Sequence, residues 1–178
     1  MITMVTGGAR SGKTNFAQNR LSGKTDVVYI ATAKIEDNEM AERVKHHRNN
    51  RPSEWRTFEA YRNLENALGE ENYYLLDCVT NLSSNIMFDL SKNESYIDNG
   101  IQNQIEKEIL KELNQFISLI NKTNKNLIIV TNELGDSIVP QNHISRVFRD
   151  IQGRVNQCLA SISDEVFIVI CGIEVRLK

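Results

Sequence analysis

The strongest constraint on this chain lies between residues 2 and 20, where an apolar run, ITMVT, leads into GGARSGKT and then NFAQNR. Gly7, Gly12, Lys13 and Thr14 satisfy the spacing G-x-x-x-x-G-K-T, in which backbone N–H groups turn inward around a phosphate chain. Glycine tolerates the positive φ angles that such a loop requires. Lys13 is placed to reach the outer phosphates and the Thr14 hydroxyl to ligate Mg²⁺, while the following helix adds the positive end of its dipole. Ile2, Met4 and Val5 read as a buried strand, and the chain from Thr14 onwards is helix-compatible. That is the strand–loop–helix context the phosphate-binding P-loop needs. A glycine-rich turn without a ligand is the bland alternative, and it leaves the Lys and Thr unexplained.

Beyond the loop, strand-like and helix-like segments alternate, which predicts an α/β layer fold with a mostly parallel sheet. Asp26–Thr32, Trp55–Phe58, Tyr73–Cys78 and Asn126–Thr131 read as strands. Glu165–Cys171 and Glu174–Leu177 read as two more, around Gly172. Helices are expected over 37–48 with Asp37 as N-cap, at Asn63–Leu68, and over Asn81–Leu90. Asn49–Pro52 ends the first of these, because Pro52 disfavours helical angles at Arg51. Ser91–Gly100 is polar and reads as a surface loop. Ile101, Ile105, Ile109, Leu113, Phe116 and Ile120 then mark a long amphipathic helix, and Ile144, Phe148, Ile151, Val155, Leu159 and Ile162 mark another. Gly153 interrupts the latter, which suggests close packing there.

No repeat, low-complexity linker or domain boundary divides the 178 residues, so residues 1–178 read as one domain. The formal net charge is −2 with no basic block, which disfavours nucleic acid or an anionic membrane as a dedicated partner. No run approaches the ~18 apolar residues of a membrane span, and an N-terminus that enters a strand at once leaves no room for a signal peptide. Cys78, Cys158 and Cys171 are odd in number and far apart, with no metal-ligand spacing. They read as small core residues of a reduced, cytoplasmic protein.

Two further features could carry chemistry. Asp77 ends an apolar strand, the position a Walker B carboxylate takes to hold Mg²⁺ beside a P-loop. Asp89, Glu133 and Asp136 are weaker candidates for that task. His46 and His47 form the second feature, in a chain with three His. On a helix, Met40, Val44 and His47 fall within about 60° of one another, whereas His46 points away. One partly buried and one surface His would satisfy that pattern. The sharper reading makes a neutral imidazole the nucleophile on phosphorus, with Arg48 and Arg51 neutralising phosphate oxygens. His143 opens a helix and reads as a surface residue. Asn121-Lys122-Thr123-Asn124 lacks the final Asp of a guanine-specifying Asn-Lys-x-Asp and sits at a helix end. The size suits a small-molecule kinase or nucleotidyltransferase.

Taken together, VTGGARSGKT, YIAT, DNEMAERVKHHRNNRPSEWRTFE, VTNELGDSIVP and FRDIQGRVNQ resemble the adenosylcobinamide kinase / adenosylcobinamide-phosphate guanylyltransferase family, over essentially the whole chain. The resemblance implies a three-layer P-loop NTPase-like fold with one antiparallel strand, assembled as a homotrimer. It implies ATP or GTP as phosphoryl donor to adenosylcobinamide, then transfer of GMP from GTP to adenosylcobinamide phosphate through a guanylylated histidine. It places nucleotide contacts on Gly7, Gly8, Ala9, Arg10, Ser11, Gly12, Lys13 and Thr14, and on Ala31, Thr32 and Ala33. The guanylylated residue matches His47, and further contacts match Arg48, Asn49, Asn50, Arg51, Glu59 and Asp77. Ala33 stands where Ser is frequent, Asn50 where Gly is usual, and Asp77 where Glu is frequent. Two other readings stay open: a monofunctional kinase with a structural His47, and a nucleotide-dependent regulator.

Overall fold

Residues 1–34, 42, 51–92 and 94–178 are described by a computed structural model. In chain order the elements are β1 (Ile2–Thr6), α1 (Lys13–Asn19), β2 (Val27–Ala31), β3 (Arg56–Glu59), a 3₁₀ turn (Leu64–Ala67) and β4 (Tyr73–Asp77). They continue with α2 (Val79–Ser91), α3 (Asn99–Lys122), β5 (Asn126–Val130), α4 (His143–Ile162), β6 (Glu165–Ile170) and β7 (Ile173–Arg176). The strands form one sheet in the order β3-β2-β4-β5-β1-β6-β7. Every neighbouring pair is parallel except β6 and β7, which run antiparallel through a tight turn at Cys171 and Gly172. The expected α/β fold with one antiparallel strand is the observed one.

Alternation along the strands divides the core in two. Ile2 and Met4 of β1, Val28 and Ile30 of β2, and Leu127 and Ile129 of β5 face a large cluster completed by α2, α3 and α4. Val5, Tyr29, Leu75 and Val130 face the other way, toward Ala17 of α1, Leu21 and Trp55. The sheet is thus the middle of three layers. The α3 stripe is the one its spacing predicts: Ile105, Ile109, Leu113, Phe116 and Ile120 are all buried. Each such side chain contributes about 1.5–3 kcal/mol by leaving water. Because β1 to β5 are parallel, their C-terminal ends share one edge, and the loops that follow them meet there.

Several local expectations need correction. The segment 91–100 is not a surface loop throughout, since Ser91 closes α2 and Ile97 is fully buried. Asp98 then caps α3 by accepting from the Ile101 N–H at 3.0 Å, so that helix starts before Ile101. Strand β3 begins one residue later than expected because Trp55 turns inward, its Nε1–H donating to the Lys24 carbonyl at 2.8 Å. A Cβ built on Gly153 would meet nothing within 4 Å, so no close packing requires that glycine. Only Cys78 is a core thiol; Cys158 is half-buried and Cys171 is exposed. His143, half-buried, stacks on Tyr96 with centroids 4.6 Å apart, and its Nε2 lies 3.2 Å from the Ile97 carbonyl. The helix expected over 37–48 lies outside the described residues, apart from Glu42, which is helical.

Candidate active site

The loop between β1 and α1 has the backbone its glycines foretell. Gly7 has φ +144°, and a Cβ there would lie 2.3 Å from the Val169 carbonyl oxygen. Gly12 has φ +100°, with an added Cβ only 3.2 Å from the Gly172 Cα. Both glycines therefore serve conformation and close approach at once. The neighbour they approach is the β6–β7 hairpin, and the Gly172 N–H donates to the Ser11 carbonyl at 2.8 Å. On the opposite side the Glu133 N–H donates to the Gly7 carbonyl at 3.0 Å. The P-loop is held between the strand ends on either side of β1.

Lys13 is buried, and its Nζ donates to the Gly8 carbonyl and to Ser11 Oγ at 3.5 Å. The ammonium therefore folds back over the loop that would hold the phosphates. Burial lowers the Lys13 pKa, opposed by the nearby Cys78 and Asp77. One residue on, the Thr14 hydroxyl donates to Asp77 Oδ2 at 3.0 Å. The end of β4 and the start of α1 thus bring a hydroxyl and a carboxylate together beside the loop. Two hard oxygen donors adjoining a phosphate cradle suit Mg²⁺, which takes few protein ligands and shares the nucleotide's oxygens. Two of the weaker carboxylates are engaged elsewhere: Asp89 pairs with Arg62 at 3.3 Å, and Glu133 accepts from the Gly135 N–H at 2.7 Å.

Two features of this site were not read from the sequence. Tyr29, buried in mid-strand β2, donates its hydroxyl to the same Asp77 Oδ2. Burial, with Asp77 second, raises the phenol pKa well above its ordinary value. A tyrosine inside an apolar strand needs a partner for its O–H, and that need was the available signal. The other feature lies under the strand ends, where Gln152 Nε2 donates to Thr131 Oγ1 at 3.1 Å and Asn156 Nδ2 to the Asn132 carbonyl at 2.9 Å. This buried network fixes the exit of β5 against the P-loop. Cys78, next to Asp77, has its thiol pKa pushed up to about 12 by burial first and Asp77 second, so it stays protonated at neutral pH.

The second cluster of expected contacts sits at the ends of β2 and β3. Ala31 pairs with Glu59, and the Ala60 N–H donates to the Ala31 carbonyl at 3.1 Å. Thr32 faces inward: its hydroxyl donates to the Cys78 carbonyl at 2.6 Å and accepts from the Cys78 N–H at 3.0 Å. That side chain joins β2 to β4, while Ala31 packs against the cluster that holds Ala17 and Tyr29. Arg51 and Glu59, with Thr57, line one cleft of about 620 Å³. The Arg51 guanidinium lies 3.4 Å from the centre of the Tyr29 ring and donates to Thr57 Oγ1 at 3.3 Å. His46, His47, Arg48, Asn49 and Asn50 lie outside the described residues.

Comparison with known proteins gives the site its context. The chain is 41% identical over 182 residues to the bifunctional adenosylcobalamin biosynthesis protein CobU of Salmonella typhimurium, and 40% identical to the protein of the same name from Escherichia coli K12. Each alignment covers all of both chains. Among solved structures, an ATPase from a bacterial type III secretion system superposes with a TM-score of 0.56 at 11% identity. That match covers 99% of this chain and 57% of the other, a likeness of fold alone. The model for cobinamide kinase / cobinamide phosphate guanyltransferase matches residues 3–177, and the chain belongs to that family.

Proposed function

We propose that this protein is a bifunctional enzyme of cobalamin nucleotide-loop assembly. It phosphorylates the aminopropanol hydroxyl of adenosylcobinamide with ATP or GTP. It then transfers GMP from GTP to the resulting phosphate, giving adenosyl-GDP-cobinamide and pyrophosphate. The observation that carries this reading is the Thr14–Asp77 pair beside the P-loop, in a chain that matches the family from residue 3 to residue 177.

The loop's N–H groups and Lys13 bind the triphosphate and offset its charge. Thr14 and Asp77 would hold Mg²⁺, which would neutralise charge on the phosphates. In the first reaction the substrate hydroxyl oxygen bonds to the γ-phosphorus and the nucleoside diphosphate leaves. In the second, a neutral ring nitrogen of His47 attacks the α-phosphorus, forming a P–N bond as the P–O bond to pyrophosphate breaks. An oxygen of the cobinamide phosphate then displaces the imidazole, and GMP passes to the acceptor. Arg48, Asn49, Asn50, Arg51 and Glu59 hold the nucleotide during this exchange. We also assign a homotrimeric assembly and a cytoplasmic site of action, on the family resemblance.

Mass spectrometry of the protein after GTP and Mg²⁺ tests the reading, with an acid-labile GMP adduct expected on His47. His47→Asn should lose the adduct and guanylyl transfer while keeping much of the kinase activity. His46→Asn should keep the adduct, because neighbouring residues of a helix such as the sequence predicts over 37–48 lie about 100° apart around its axis. Adduct formation should fall as His47 is protonated in acid, because protonation removes the attacking lone pair. An adduct that survives in His47→Asn would overturn the assignment.

A further inference from the structure

The carboxylate that ends β4 is held by a side chain from the neighbouring strand. Tyr29 is the third residue of β2 and pairs with Leu75 of β4, so Asp77, two residues beyond Leu75, lies on the same face of the sheet. A diagonal neighbour of this kind is within reach of a long aromatic side chain. The Tyr29 hydroxyl spans the gap to Asp77 Oδ2, and the Thr14 hydroxyl reaches that oxygen from α1 at 3.0 Å. Two donors from different elements converge on one oxygen. Among the described residues, no side chain donates to Oδ1.

The same ring is used from its face. The Arg51 guanidinium stacks on it at 3.4 Å, anchored to β3 through Thr57 Oγ1, and the buried Arg51 Nε has no hydrogen-bond partner among the described residues. The ring itself, 1% exposed, is wedged in the core cluster with Val5, Ala17 and Leu75. It therefore has little freedom to follow either partner. Its edge fixes Asp77 and its face fixes Arg51.

We propose that Tyr29 is a positioning residue for nucleotide binding, orienting Asp77 toward the metal through its hydroxyl and holding Arg51 against the nucleotide through its ring. This rests on the reading of the P-loop as a Mg²⁺–nucleotide site. The two contacts are separable. Tyr29→Phe keeps the ring and removes the hydroxyl, whereas Tyr29→Leu removes both.

The test is calorimetric titration of the full chain with the α,β-methylene analogue of GTP, with and without Mg²⁺, alongside thermal melting. Wild type should bind more tightly with Mg²⁺. If it does not, the metal reading falls by itself, on wild type alone, and the inference falls with it. Tyr29→Phe should leave metal-free affinity within about twofold and cut the Mg²⁺ enhancement about tenfold, the scale of one hydrogen bond to a charged group. Tyr29→Leu should weaken metal-free binding as well. In an Asp77→Asn background, Tyr29→Phe should change the Mg²⁺ enhancement no further. A lower melting temperature with the Mg²⁺ enhancement intact in Tyr29→Phe, or a full additional loss in the Asp77→Asn background, overturns the role of the hydroxyl. Equal metal-free affinities for the Phe and Leu variants overturn the role of the ring. Should Tyr29→Leu fail to fold, Arg51→Ala gives the same reading: weakened metal-free binding supports the ring's role, and unchanged binding overturns it.

Discussion

At the scale of single residues, Lys13 and Asp77 bear on the same charge from opposite signs. Lys13 is buried with its ammonium turned onto the Gly8 carbonyl, so a triphosphate entering the loop offers it a stronger partner. Lys13→Met should slow both phosphoryl and guanylyl transfer by on the order of 10²-fold, which steady-state assays of the two half-reactions would register. Near-normal rates in either would mean that its nucleotide reacts elsewhere. Asp77→Asn replaces a carboxylate oxygen that accepts from Thr14 and Tyr29. The amide can still accept those bonds but lacks the charge a cation needs. The Mg²⁺ concentration for half-maximal activity should rise on the order of tenfold or more. A merely structural strand-end carboxylate would show a small stability change and an unaltered Mg²⁺ requirement.

The elements show which sequence irregularities were meant and which were not. Gly7 and Gly12 abut the β6–β7 hairpin so closely that a methyl group would collide with Val169 or crowd Gly172. Gly153 is different, because it sits inside α4 with open space where its side chain would be. Gly153→Ala should raise stability by about 1 kcal/mol through helix propensity alone, measured as a higher denaturant midpoint with unchanged slope. A lower midpoint would reveal a contact at that surface, such as a protomer interface. Asn121–Asn124 is settled at the same scale. Thr123 caps the end of α3, its hydroxyl donating to the Leu119 carbonyl at 2.7 Å, and Asn124 takes a left-handed φ of 54°. That segment stops a helix.

For the whole molecule, assembly and pH are the accessible variables. A homotrimer predicts a mass in light scattering of three times the 20.3 kDa chain. Acid stability depends in part on the pairing of Arg56 with Glu71 at 2.5 Å, which ties β3 to the chain entering β4. The hydrogen bond from Arg56 holds the Glu71 carboxyl below its ordinary range. A depressed carboxylate stabilises the fold above its unfolded pKa and loses that contribution as pH falls through the folded one. The pair is partly exposed, so the contribution is about 1 kcal/mol at most. Glu71→Gln should therefore lower the melting temperature slightly at neutral pH and converge with wild type in acid. A gap that persists below the carboxylate range would assign the loss to packing.

Much of this was legible in the order of the residues. The P-loop is a contiguous string whose chemistry depends on local backbone angles, so GGARSGKT carried it without help from the fold. Strand and helix types followed from periodicity, because burial on one face repeats every second or every third to fourth residue. Asp77 was recognisable as the last residue of an apolar strand. Tertiary structure decided what depends on elements distant in sequence. Tyr29 reaches Asp77 across a sequence separation of 48 because β2 and β4 pair in one particular register. Gly172 backs the P-loop because β6 lies beside β1, and Gln152 and Asn156 face Thr131 because α4 packs on the sheet against β1, next to β5. A polar side chain inside an apolar stripe shows that a partner is needed. Which partner it finds is set by strand register and helix packing, and those are properties of the folded chain.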